Sequence, residues 1–237
     1  MLGYLSHSDW DVKGSVTYDS KDLLTYSPKE WEAIRGKNFR ILLQEPAISI
    51  NPAFRIQYQL EQSYKLACPT QKKSQRMKRI VELMYSLNLT PAIELLKRFP
   101  GELSGGQLQR ISVAMAIGPP SQYLFADEPT NSLDSVISME LINLLKRLHS
   151  NGYACTLVFI THDLSIARAL ECNRILMLHD GRLVEDRSLQ DFIKESHSKD
   201  AQAMIKTNDR LNRFGERECI RDLPAAGFEV VGDVQNL

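Results

Sequence analysis

The chain has 237 residues, with 29 Lys+Arg against 29 Asp+Glu, so its formal net charge is zero; 43% of it is hydrophobic and 24% charged. At roughly 150 residues per domain, that length gives one large domain or one domain carrying a subdomain. These proportions exclude a disordered, collagen-like or mucin-like chain, and the neutral balance argues against a nucleic-acid carrier, which normally shows a basic excess.

The opening residues, Met1-Leu2-Gly3-Tyr4-Leu5-Ser6-His7-Ser8-Asp9, have neither a basic leader nor a long apolar run. The first strand signal is Phe39-Arg40-Ile41-Leu42-Leu43, which ends in Gln44-Glu45-Pro46. From Ala53 to Phe99 no strong strand signal occurs, and Ile80-Val81-Glu82-Leu83-Met84-Tyr85-Ser86-Leu87 has helical spacing. Pro52, Pro69, Pro91 and Pro100 punctuate this stretch, which reads as a helical insertion. The basic run from Gln71 to Arg79 is expected to be one solvated helix face.

Leu103-Ser104-Gly105-Gly106-Gln107 then opens a helical run, Leu108 to Ile117. A Ser and two Gly at a helix start leave backbone N–H groups free and permit close approach, which makes an anion or phosphate site. An ordinary N-cap with flexible glycines is the alternative for this pentapeptide alone. Next, Gln122-Tyr123-Leu124-Phe125-Ala126 reads as a strand ending in Asp127-Glu128. A strand-terminal Asp suits Mg²⁺, and an adjacent Glu can orient or deprotonate a water; two solvated loop acids are the plainer reading. After Pro129-Thr130-Asn131-Ser132-Leu133-Asp134, a helix is expected over Val136 to Leu148.

Thr156-Leu157-Val158-Phe159-Ile160 is the third strand and ends in Thr161-His162-Asp163. A lone His there is more often hydrogen-bonded structure than catalysis. Three apolar runs alternating with helical segments predict a mostly parallel sheet, with ligands at the carboxyl ends of its strands. Arg174–Leu178 and Arg182–Glu185 flank His179-Asp180-Gly181, a hairpin signal. One helix is expected over Leu189 to Ile205, and the tail to Leu237 carries no assignment.

Cys68, Cys155, Cys172 and Cys219 lie far apart with no C-x-x-C pair, so neither structural zinc nor a disulfide framework is expected. The longest apolar stretches, such as Ile111 to Ile117, fall far short of the roughly 20 residues that cross a bilayer. A cytosolic chain that can dock on a membrane protein is the expectation.

Taken together and in this order, the segments resemble the nucleotide-binding subunit of ATP-binding cassette (ABC) transporters. Leu103 to Gln107 matches the family signature, and Gln122 to Glu128 matches Walker B with the catalytic Glu. Asn131 to Asp134 looks like the D-loop, His162 like the switch His, and Gln44 falls at the Q-loop. Gln44-Glu45-Pro46 followed by Ser49-Ile50-Asn51-Pro52 is similar to the dipeptide, oligopeptide and nickel importers, and Ser8-Asp9-Trp10 to the antimicrobial-peptide uptake branch. That group commonly carries a Cys cluster near its C-terminus, where this chain has only Cys219.

The resemblance implies an α/β, P-loop NTPase-like (RecA-like) fold with a mostly parallel sheet. Residues 53–103 would form a helical subdomain and 190–237 a C-terminal extension of one ATPase domain. It implies an ATP hydrolase with ATP and Mg²⁺: Glu128 and His162 catalytic, and Asp127 and Gln44 at the metal. Gln44, Ser104, Gly105, Gly106, Gln107 and Asp134 would face nucleotide. The implied partners are transmembrane permease subunits, a second ABC ATPase subunit and, indirectly, a solute-binding protein, with no nucleic acid. The implied location is cytoplasmic, on the inner face of the membrane.

No G-x-x-x-x-G-K-[ST] occurs; Gly36-Lys37-Asn38 is the nearest Gly-Lys and lacks both the upstream Gly and the Ser/Thr. That loop cradles phosphates with backbone N–H groups and gives Mg²⁺ a hydroxyl. Leu2-Gly3-Tyr4-Leu5 is similar to the end of the family's P-loop helix. The expectation is a chain missing its N-terminal strand and P-loop, inactive alone. Two explanations stand side by side: a truncated ATPase subunit, or a non-catalytic partner that supplies its signature loop in trans. Retention of Asp127, Glu128 and His162, which serve their own chain's phosphate loop, favours the first. A soluble ABC ATPase is the third reading.

Overall fold

The computed structural model describes residues 12–44, 49–131, 135–150 and 156–218, with the side chains of 135, 136, 148–150 and 210–218 left aside. The chain divides into two compact units, Met1–His162 and Asp163–Leu237.

The first unit begins with a small hairpin, β1 (Thr17–Tyr18) and β2 (Lys21–Asp22). Asp19 and Ser20 at its turn have φ of 47° and 63°, the left-handed pair that suits the twist of a two-residue hairpin. Helix α1 (Pro28–Ile34) follows, with Pro28 at its start and a reciprocal cap. Ser27 Oγ accepts from the Glu30 N–H at 3.4 Å, and a Glu30 carboxylate oxygen accepts from the Ser27 N–H at 2.8 Å.

Strands β3 (Phe39–Leu42), β4 (Tyr123–Asp127) and β5 (Thr156–Ile160) form a parallel sheet in the order β3-β4-β5. Phe39 lies opposite Tyr123, Leu42 opposite Ala126, and Asp127 opposite Ile160. Asp127 is thus the last residue of β4 rather than the first residue after it. At the amino-terminal end of the sheet Phe39 stacks on Tyr123, ring centroids 5.2 Å apart, and Tyr18 meets Phe39 edge-on at 4.8 Å. Leu23, Trp31 and Phe39 are the buried centre of this cluster, so the hairpin and α1 are anchored to the sheet by aromatic area. Among the described residues the second edge of β5 is unpaired, and Val158 and Ile160 on one face of that strand are 37% and 49% exposed.

The insertion expected from Ala53 to Phe99 is helical: α2 (Ile56–Ala67), α3 (Lys73–Ser86) and α4 (Ala92–Lys97). Ile56, Leu60 and Tyr64 of α2, Ile80, Leu83 and Met84 of α3, and Leu95 and Leu96 of α4 are buried at helical spacing, each helix turning one apolar stripe inward. The basic run is not solvated throughout. Arg76 is buried, its guanidinium 3.6 Å from Glu61 of α2 and donating to the Gln71 carbonyl. An arginine at that point of α3 faces α2 and is carried there by a counter-charge, not by water. Helices α5 (Gly105–Ile117) and α6 (Ser135–Ser150) complete the unit. Ile111, Ala114 and Ile117 of α5 and Leu141, Ile142, Leu144 and Leu145 of α6 are buried.

The second unit holds α7 (Leu164–Ala169), the antiparallel pair β6 (Ile175–His179) and β7 (Arg182–Arg187), α8 (Leu189–Glu195) and α9 (Lys199–Glu218). Asp180 and Gly181 sit at φ 45° and 72°, as the Asp-Gly signal requires. Phe192, Leu164 and Ala201 form the core. The single helix expected over Leu189 to Ile205 is two helices, broken at Ser196-His197-Ser198. The cause is Glu185: its carboxylate accepts from the N–H groups of His197 and Ser198, both at 2.8 Å, and from Arg187 Nε at 2.7 Å. Ser198 Oγ then caps α9 by accepting from the Ala201 N–H at 3.1 Å.

Candidate functional site

Parallel pairing without offset brings three strand ends to one edge of the sheet. Gln44 lies two residues beyond Leu42, at the level where Glu128 lies two beyond Ala126. His162 lies two beyond Ile160, the partner of Asp127. All three side chains are therefore presented from adjacent strands at the same end.

Glu128 is the centre of this edge. Its φ is 43°, a conformation L-residues other than Asn and Asp seldom adopt. The backbone there is fixed by the Glu128 N–H, which donates to the Ile160 carbonyl at 3.0 Å and so continues the sheet one step beyond β4. Both carboxylate oxygens are engaged. Oε1 lies 3.1 Å from His162 Nδ1, and Oε2 accepts from the Asn131 side-chain amide. The carboxylate is partly buried while the imidazole is 72% exposed. With its proton on Nδ1 the ring donates to Glu128 and turns Nε2 outward. His162 thus has the hydrogen-bonded place expected of a lone His at a strand end, and its partner is Glu128.

Asp127 is exposed at the end of β4, and its carboxylate has no hydrogen bond or ion pair among the described residues. Gln44 is exposed just beyond β3. Among the described residues no group of three or more His, Cys, Asp or Glu could hold a metal ion. One free carboxylate and one amide oxygen are hard donors of the kind Mg²⁺ uses when substrate phosphates and water supply the remaining ligands.

The second set of expected residues lies at the start of α5. Ser104 is the N-cap: its Oγ accepts from the Gln107 N–H at 3.2 Å, and Gln107 Oε1 accepts from the Ser104 N–H at 3.1 Å. Ser104 and Gln107 therefore do what the plainer reading asked. Gly105 and Gly106 are not explained that way. A Cβ at Gly105 would meet nothing within 4 Å, and one at Gly106 only the end of Arg110 at 3.8 Å. Neither glycine has a positive φ. Among the described residues nothing requires their lack of a side chain, and no acidic residue stands in the first turn of this helix. Asp134 and Trp10 lie outside the described residues.

The partner that sequence reasoning missed is Asn131. It sits three residues after Glu128, and its own N–H donates to the Glu128 carbonyl at 3.2 Å, so the turn through Pro129 and Thr130 folds its amide back on the carboxylate. The Glu-Pro-Thr-Asn spacing is the signal that could have found it.

Comparison with known proteins adds identity to this geometry. The chain is similar to the oligopeptide transport ATP-binding protein OppD of Bacillus subtilis, 29% identical over 206 residues, which cover 87% of this chain and 57% of that one. It is also similar to the dipeptide transport ATP-binding protein DppD of Haemophilus influenzae, 31% identical over 217 residues, covering 91% and 64%. The chain thus spans roughly six-tenths of the length of these two relatives. Among solved structures it is similar to a dimeric ATP-binding cassette in a post-hydrolysis state bound to ADP and Pi, with a TM-score of 0.63 and 26% identity, covering 75% of this chain and 74% of that one. That cassette likeness agrees with the P-loop NTPase-like fold class. The ABC transporter family model matches residues 1–131. The chain belongs to the ABC transporter family.

Proposed function

We propose that this chain is an ATP-hydrolase subunit of an importer that couples ATP hydrolysis to uptake of peptides or related small solutes. The observation that carries the reading is the contact of Glu128 and His162 at the ends of adjacent parallel strands, with Asn131 closing the other carboxylate oxygen. Glu128 polarises the attacking water, and contact with both neighbours aims it without neutralising it. His162 offers its outward nitrogen to the terminal phosphate. Asp127 and Gln44 would hold Mg²⁺ and its water; when bound, that ion spreads the negative charge of the phosphates.

Ser104 to Gln107 close over the nucleotide of a second ABC ATPase subunit, and the D-loop resemblance assigns Asp134, which lies outside the described residues, to nucleotide as well. Open space at Gly105 and Gly106 supports this, because it leaves backbone N–H groups approachable from outside the chain. Residues 53–103 form the helical subdomain that meets the transmembrane permease subunits, and 190–237 extend the ATPase domain. A solute-binding protein delivers cargo to the permease. The subunit works at the inner face of the membrane; among the described residues no helix is long and apolar enough to cross one.

The 237 residues contain no P-loop sequence. The chain alone is therefore expected to show no ATP turnover, and turnover that disappears in Glu128→Gln would overturn this. The second reading, a non-catalytic subunit that completes a partner's site, is favoured by the same open glycines. The two separate in a mixed assembly with a permease and a P-loop-bearing ATPase subunit, when this chain is also fused behind the strand and P-loop of that subunit, so that Glu128 has a phosphate loop to serve. Loss of rate in Gly105→Ala with none in Glu128→Gln selects the non-catalytic subunit. Loss in both selects the hydrolase.

A further inference from the structure

Arg40 is an arginine in the middle of a sheet strand, and neither the site nor the core uses its charge. Its guanidinium is largely buried, and burial pushes its pKa down to about 10. Among the described residues no carboxylate pairs with it. Its donors go to carbonyls and one hydroxyl on α5, on α2 and in the turn before β3. Nε donates to the Ala116 carbonyl at 3.0 Å, and Nη1 to the Gly36 carbonyl at 2.8 Å. Nη2 donates to the Met115 carbonyl at 2.6 Å and to Ser63 Oγ. Ser63 itself donates to the Met115 carbonyl at 3.0 Å, which closes the ring of contacts between β3, α2 and α5.

Met115 and Ala116 lie in the last turn of α5, where carbonyls lack intrahelical partners and the helix dipole is negative. The counter-charge of Arg40 is thus the C-terminal end of α5. A cleft of about 200 Å³ opens beside this joint, lined by Arg40, Ser63, Ser112, Met115 and Ala116. Directional hydrogen bonds set the relation of the three elements there.

The two ends of this arrangement are the residues already singled out. Four residues on from Arg40, just beyond the end of β3, lies Gln44, and at the opposite end of α5 lies Ser104. We propose that Arg40 is a positioning residue that fixes α5 and α2 to β3, so that Gln44 and Ser104 move as parts of one body. The functional value of that coupling rests on the nucleotide-facing reading of Gln44 and Ser104; the mechanical coupling does not.

The test uses the 237-residue chain and two readouts that involve no nucleotide, so failure of the nucleotide reading leaves them interpretable. One is amide hydrogen exchange. The other is the distance between spin labels at Lys37→Cys and Gly101→Cys in a chain whose native cysteines are serines. In Arg40→Met, exchange at Ala114 to Gly118 should accelerate about tenfold while β4 keeps its rates, as for a local opening rather than a global one. The label distance should broaden, and Arg40→Lys, which keeps the charge but not the fork, should restore it only in part. An unchanged distance, or equal acceleration in every element, would overturn the proposal by reducing Arg40 to a contributor of overall stability. Should Arg40→Met fail to fold, Ser63→Ala removes one acceptor; it should move both readouts the same way by less, and no movement would equally overturn the proposal.

Discussion

A glutamate at φ 43° is held in place by its neighbours, and Glu128 has three: the Ile160 carbonyl, Asn131 and His162. Removing one should loosen a conformation that local preference resists. Asn131→Ala is expected to cost about 1 kcal/mol, the net worth of one hydrogen bond to a partly exposed carboxylate, seen as a lower urea midpoint. Glu185 makes a second residue-scale prediction. The amides of Ser198 and His197 and the Arg187 guanidinium hold its carboxyl at about 2, below the usual 4.5. A carboxyl depressed in the fold contributes stability that is present above the unfolded value and lost as pH falls from 4.5 toward 2. Glu30 and Asp186 are lowered as well, by the Ser27 cap and by Arg174, and act in the same direction. Glu185→Gln should therefore flatten the dependence of the melting temperature on pH between 5 and 2, and an unaltered slope would remove Glu185 as a cause. Neither the Asn131 contact nor the Glu185 contact could be read from composition or periodicity. Each depends on a turn that folds a polar side chain back onto its neighbour.

At the scale of elements, α5 separates fold from function by position. At its start Gly105 meets open space, so Gly105→Ala should leave stability unchanged or raise it by up to about 1 kcal/mol, the propensity difference of an exposed helix position. A thermal melt checks this, and a clear loss of stability would give the glycine a structural purpose after all. At its end Gly118 is crowded. A Cβ there would stand 2.3 Å from Leu83 Cδ2 and 2.7 Å from the Ala114 carbonyl, and backbone cannot step aside. Gly118→Ala should cost about 1–3 kcal/mol by overpacking, measured by denaturant unfolding. The helix itself was legible, since Ser-Gly-Gly-Gln before an apolar run is a start signal with a reciprocal cap. The break between α8 and α9 was not, because it is imposed by a side chain on β7. The hairpin of β1 and β2 was equally hidden: two-residue strands joined by Asp19-Ser20 offer no alternation to read. Helix α1 was marked by Ser27-Pro28-Lys29-Glu30, a capping box with Pro inside it, and could have been found.

Across the whole molecule, the parallel sheet was legible for a physical reason: its strands are short continuous apolar runs, the mark of strands meant to be buried on both faces. That same reason separates β5 from the other two. Thr156-Leu157-Val158-Phe159-Ile160 has the composition of a covered strand, yet among the described residues it pairs on one side alone. A strand edge left unpaired among the described residues, on a strand carrying exposed Val and Ile, is a template for any extended chain that meets it. Purified by itself, the polypeptide should be limited by solubility before it is limited by unfolding, with an average mass in sedimentation velocity that climbs with concentration. Placing a charge on the exposed face, as Val158→Lys does, is the device natural edge strands use against such pairing. It should hold the mass near that of one 27.0 kDa chain over the same range, and an unchanged climb would move the blame to another surface. Val158 and Ile160 thus make colloidal behaviour, rather than melting, the first property to measure on this chain.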